Sequence, residues 1–135
     1  MSSKQVGEIG EDVACKYLRG KGYRILERNY KEKIRNGFCL AEIDIIVEKK
    51  DIISFVEVKA SEKYKNNKNL DEIAPEQRVD IKKQRKIAKL AEIWLNKNKI
   101  PLDSMWQIDV VSVIVDFETR KAKVSYFENV AEWLS

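Results

Sequence analysis

The chain has no histidine, two cysteines, two prolines and five glycines in 135 residues. Without histidine there is no serine or cysteine triad, no His-ligated zinc hydrolase and no nuclease with a histidine general base. Cys15 and Cys39 are too few and too far apart for a zinc site or a disulfide framework. Both are expected to be reduced thiols of a cytoplasmic protein. No apolar run approaches the roughly 18 residues of a membrane span, and Met1-Ser2-Ser3-Lys4-Gln5-Val6 does not open like a signal peptide. Charge, in contrast, is abundant: 36% of residues, with 26 Lys and Arg against 22 Asp and Glu. The chemistry available is that of carboxylates, lysine and a hard metal ion.

The length suits a single domain spanning residues 1–135. Val6, Ile9, Val13, Ala14 and Tyr17 recur at helical spacing over Lys4 to Arg19, and Gly20-Lys21-Gly22 closes the run. Tyr23 to Tyr30 reads as a strand, and Lys31 to Phe38 as a polar loop. Two apolar strands follow around a turn at about Glu48 to Asp51, with Val47 expected opposite Ile52. Ser61 to Pro75 is a polar loop. Pro75 opens a helix over about Glu76 to Lys99, a position where its missing N–H costs nothing. Trp106 to Val115 is a continuous apolar run, as expected of a buried strand. Ala122 to Phe127 is a last strand, and Asn129 caps a short helix through Trp133. These elements give an α/β fold with a sheet covered by helices.

The segments Glu42-Ile43-Asp44-Ile45-Ile46-Val47 and Phe55-Val56-Glu57-Val58-Lys59 carry the strongest signal. Alternation puts Glu42 with Asp44 on one face, and Glu57 with Lys59. In the expected register Asp44 lies opposite Phe55 and diagonal to Glu57, at roughly 7–8 Å between backbones. Glu42 falls near Glu57. Two carboxylates so placed can close on one divalent cation, with a lysine beside it. The bland alternative is an ion pair on a half-exposed strand. The apolar neighbours on both faces of the second strand weigh against it, because charge inside a buried strand is costly.

Asp44 followed after twelve residues by Glu57-Val58-Lys59 resembles the PD-(D/E)xK nuclease signature of the restriction-endonuclease-like fold. With Gly10-Glu11, Gly22-Tyr23-Arg24-Ile25-Leu26-Glu27-Arg28-Asn29, Glu42-Ile43-Asp44 and Asp109-Val110-Val111, the chain resembles the uncharacterised bacterial YraN-type family, which is similar to archaeal Holliday-junction resolvases. The resemblance implies a central mixed five-stranded sheet flanked by helices. It implies a magnesium (or manganese) ion held by Asp44 and Glu57, to which the oxygen-ligand preference of magnesium adds the backbone carbonyl of Val58. Lys59 would orient the attacking water or stabilise the phosphate. Glu11 would complete the acidic cluster, directly or through water. Glu8, Glu11 and Asp12 are all acids on one helix, and only the resemblance selects Glu11. Glu42, in the family's Glu-Ile-Asp run, is either a supporting residue behind the ligands or a surface charge. Ala41 departs from the glycine usual before Glu-Ile-Asp, and Gln107 from a frequent arginine.

From Glu76 to Lys99 there are eight basic residues against three acids, an excess larger than the +4 of the whole chain. Arg78, Lys82, Arg85 and Lys89 share a stripe suited to phosphate contact, against the alternative of a solvated face. Lys83 falls within the apolar stripe, where it either snorkels or reaches the site. The resemblance adds Lys83-Gln84 as weaker nucleic-acid contacts. Tyr64 is the aromatic placed to touch a base, whereas Trp94, Trp106 and Trp133 read as packing residues. Val130, Trp133 and Leu134 form an apolar surface suited to a homodimer. Three functions follow: a metal-dependent endonuclease acting on DNA rather than RNA, on branched or structured substrates; a nucleic-acid-binding module without efficient cleavage; or a protein-interaction domain with a basic helix.

Overall fold

The first helix opens on a reciprocal side-chain cap, one residue ahead of the expected start at Lys4. In the computed structural model, which describes residues 2–33, 39–63 and 81–130, the Ser2 hydroxyl accepts from the Gln5 N–H at 3.2 Å. The Gln5 side chain accepts from the Ser2 N–H at 2.9 Å. This reciprocal cap starts helix α1, Ser3–Gly20. Gly22 ends it at φ +92°, where a glycine is unstrained.

Five strands follow: β1 Arg24–Lys33, β2 Cys39–Lys49, β3 Ile52–Glu62, β4 Trp106–Asp116 and β5 Lys121–Phe127, with helix α2, Ile81–Lys97, between β3 and β4. The sheet order is β1-β2-β3-β4-β5, antiparallel except for the parallel pair β3 and β4 that α2 connects. This α/β architecture, a mixed five-stranded sheet with two helices, is that expected of a restriction-endonuclease-like fold. Among the described residues no helix is long and apolar enough to cross a membrane.

The helices lie on opposite faces. Ile87, Leu90, Ala91, Trp94 and Leu95 of α2 pack on Ile46, Phe55, Ile108 and Val110. The Phe55 ring meets Trp94 and Trp106 edge-on at 5.8 and 5.6 Å. Ala14, Cys15 and Leu18 of α1 pack on Ile45, Val47, Val56, Val111 and Val113. A Cβ added at Gly10 would stand 2.4 Å from that of Ala60, so glycine there is what lets α1 close onto β3.

Four expectations need correction. The β2–β3 turn has two residues, Lys50 and Asp51, both left-handed at φ 52° and 65°, as a tight hairpin turn requires. Lys49 therefore pairs with Ile52 and Ile46 with Phe55. The shift of two residues keeps each side chain on its face but makes Asp44, not Glu42, the neighbour of Glu57. Second, β1 continues through Lys33 because Lys31 pairs with Glu42. Third, the second polar loop starts later than expected, since Ser61 and Glu62 belong to β3. Fourth, Val130 is buried in the cluster beneath α2, its N–H donating to the Ile108 carbonyl at 2.8 Å, so it offers no dimer surface. Tyr64, Pro75, Arg78, Trp133 and Leu134 lie outside the described residues.

Candidate metal and phosphate site

Alternation along β2 breaks at Asp44. Ile43 and Ile46, three residues apart, both join the cluster beneath α2, although a regular strand would put them on opposite faces. The neighbouring strand breaks likewise. Glu27 accepts from the Trp94 indole at 2.9 Å and Glu32 from Lys97 at 2.5 Å, both on α2. Asn29, at φ 53°, lies between them. A left-handed residue turns the following side chains over, and asparagine tolerates that conformation better than most.

β2–β3 pairing ends at Ile45 and Val56, which makes Asp44 and Glu57 the next residues on the two strands. Beyond that rung the Asp44 carboxylate replaces a backbone acceptor, taking the Val58 N–H at 2.7 Å. The Val58 carbonyl leaves its strand on the same side as its N–H. Glu57 is 5% exposed and receives the Lys83 ammonium, which reaches down from α2. Burial, and then the charge of Glu57, push Asp44 up to about 8, with Glu11 and Glu42 adding to it against the Val58 amide. Burial opposes the charge on Lys83, but its bond to Glu57 and the two carboxylate charges outweigh it and raise its pKa.

The pair lines a cleft of about 470 Å³ whose other residues are Ala41, Glu42, Lys82, Lys83 and Lys86. Carboxylates thus form one wall and α2 lysines the other. Of the residues expected at the site, Asp44, Glu57, Lys82 and Lys83 meet here. Lys59 is half-buried two positions beyond Glu57 on β3, the spacing of a shared face. Glu11 stands on the α1 side, where its carboxylate accepts from the Asn29 side-chain amide at 2.7 Å. The same amide reaches Glu42 at 3.0 Å, so Asn29 ties the acid of α1 to the acid beside Asp44. Among the described residues no group of three acidic or thiol side chains converges on one point.

Arg85 and Lys89 are exposed, in keeping with a solvent-facing stripe, and lie outside the residues that line the cleft. One assignment is revised. Gln84 is 2% exposed, on the packed face with Ile87 and Ala91, which takes it off the binding surface. Lys86, which the sequence reading does not single out, lines the cleft on the helical face that Lys82, Lys83 and Lys86 share by spacing. Asn29 gave less warning, since its sign is only an asparagine within a strand.

The donor set suits a hard divalent cation. It is all oxygen, two carboxylates and a carbonyl, and magnesium completes its shell with water.

A family model described as "Uncharacterised protein family UPF0102" matches residues 10–113. Among curated proteins, a UPF0102 protein of Fervidobacterium nodosum is 42% identical over 131 residues, covering 95% of this chain and 83% of the relative. One of Dictyoglomus turgidum is 34% identical over 129 residues, covering 96% and 98%. Another, of Dictyoglomus thermophilum, is 37% identical over 115 residues, covering 85% and 86%.

Proposed function

The chain belongs to the uncharacterised family UPF0102, the YraN-type family, and we propose that it is a metal-dependent endonuclease acting on DNA at the Asp44–Glu57 cleft. One observation carries this reading: half-buried Asp44 and buried Glu57 share a cleft with Lys82, Lys83 and Lys86 of α2. Carboxylates alone would suit a cation and lysines alone a phosphate, whereas a phosphodiester hydrolase needs both.

Asp44, Glu57 and the Val58 carbonyl would hold magnesium or manganese. When bound, such an ion supplies a water of lowered pKa and neutralises charge developing on the phosphate. Lys59, two positions beyond Glu57 on β3, would orient that water. Lys82 and Lys86 attract and position the backbone of the nucleic acid. Asn29 holds Glu11 and Glu42 together, so that their charges act on Asp44 from fixed positions. DNA, and branched DNA in particular, rests on the likeness to Holliday-junction resolvases.

The test is cleavage of labelled four-way-junction, duplex and single-stranded DNA with magnesium or manganese. Wild type should cut, and Asp44→Ala and Glu57→Ala should each lose about 10²-fold or more. One observation favours a second reading, a binding module without efficient cleavage: no third acidic side chain joins the pair among the described residues. Wild type that binds these DNAs in a salt-dependent manner and cuts none would establish the module instead.

A further inference from the structure

Glu57 already holds a cation, and it is a lysine. Among the cleft lysines, Lys83 is the one whose ammonium is bonded to the Glu57 carboxylate. Its charge is also felt by Asp44. The Glu57 side chain is 6% exposed and that of Lys83 39%, so the acid is fixed inside while the base enters from solvent. Two neighbouring carboxylates in a part-buried cleft need positive charge nearby. An ammonium on a four-carbon stem is a compact point charge that can be exchanged for another cation. The backbone beneath it is anchored, because Ile87, Leu90, Ala91 and Trp94 pack α2 into the core. Only the side chain has to move.

We propose that Lys83 is a built-in placeholder for the divalent cation, neutralising Glu57 until the ion displaces it and then adding a third positive charge to the phosphate-facing wall formed by Lys82 and Lys86. This rests on the metal-site reading above. It makes metal and nucleic acid bind cooperatively: the ion moves Lys83 towards phosphate, and phosphate draws Lys83 off Glu57. The two couplings must be equal.

The test is calorimetric titration of Mn²⁺ into the full chain, comparing wild type with Lys83→Met, Lys83→Gln, Lys82→Gln and Lys86→Gln. Loss of a direct competitor should tighten Mn²⁺ binding by about tenfold or more in the Lys83 variants, since a hydrogen bond to a charged group is the one broken. The Lys82 and Lys86 variants, which change the same unit charge at the cleft wall, should shift by less than about threefold. Thermal melts in a chelator guard against misfolding. Lys83→Met should lower the melting temperature, because Glu57 is left buried without its ammonium, and Mn²⁺ should raise it more than in wild type. Lys83→Gln keeps a donor for Glu57 should the methionine variant not fold. Mn²⁺ binding in wild type that is unchanged or weaker in the Lys83 variants overturns the placeholder alone, as does an equal gain in the Lys82 and Lys86 variants. Absence of Mn²⁺ binding from wild type and every variant overturns the metal site and the placeholder together.

Discussion

Two buried carboxylates occupy adjacent rungs of the β3–β4 ladder and have opposite surroundings. Asp109 pairs with Val56, and Glu57 with Val110. Asp109 points to the α1 face and is fully buried, yet three donors meet it. The Gln107 amide is at 2.9 Å, the Asn129 N–H at 2.8 Å, and the Tyr126 hydroxyl completes the set. Burial, followed by the Asp109 charge, raises the pKa of Tyr126 and keeps the phenol a donor. On the other face, Asp44 is held by the Val58 amide and Glu57 by the Lys83 ammonium, a side chain that can leave. Asp109 is thus a closed structural anion that fastens β5 and the segment after it to β4. The Asp44–Glu57 pair has one backbone amide and one lysine ammonium for partners, and lines a cleft. Burial alone does not mark a functional acid; what distinguishes the two is whether fixed donors already complete it.

Removing the saturated acid should have the largest effect on stability. Asp109→Ala strands the Tyr126, Gln107 and Asn129 donors, and should cost about 3–5 kcal/mol in urea unfolding. Comparable stability in that variant would break the contrast. Asp44→Asn should instead be stabilising at alkaline pH without metal. The Asp44 carboxyl is raised from 3.8 to about 8 in the folded state, so between those values the folded chain keeps a proton that the unfolded chain has released. Stability due to this group is therefore greatest below pH 3.8 and falls as pH rises to about 8. The loss is at most about 1.4 kcal/mol per unit. Urea midpoints at pH 5 and pH 9 should diverge between wild type and Asp44→Asn, with the variant ahead at pH 9.

Gly10→Ala tests how α1 is docked beneath the site. The added methyl meets Ala60 at 2.4 Å, and overpacking of this kind should cost about 1–3 kcal/mol. Asn29 should show the smallest effect and the clearest separation of causes. Asn29→Gly keeps the left-handed backbone and loses only the amide that bridges Glu11 and Glu42. Asn29→Ala loses the amide and strains the backbone, and should be less stable than the glycine variant by about 1 kcal/mol. Equal stabilities would show that the φ of Asn29 carries no strain for alanine.

Much was legible in the chain because it depends on short-range pattern. The apolar periodicity of α1, the glycine that ends it and the apolar run of β4 are local signals, and all three are realised. The spacing of Asp44 and Glu57 was read as bringing two carboxylates together, and the strands do so. Their register was misjudged by two residues. Lys50 and Asp51 are neither glycine nor asparagine, so the left-handed turn they form had no compositional sign. The burial of Gln84 and the place of Lys86 in the cleft follow from the rotation of α2 about its axis, which is set by what it packs against, Phe55, Ile108 and Val110. The three donors around Asp109 could not be read at all, since Tyr126 and Asn129 come from 17 and 20 residues away.

By itself, then, the sequence determined the kinds of group available for chemistry and the local elements that carry them. With no histidine and few thiols, its carboxylates and lysines are the ionisable groups it has in number. Tertiary structure decided which acid was completed by fixed donors and which was not, and which lysine came to rest on Glu57. Periodicity records where a side chain points along its own element. The charge a buried carboxylate needs is supplied by neighbours that only folding brings within reach.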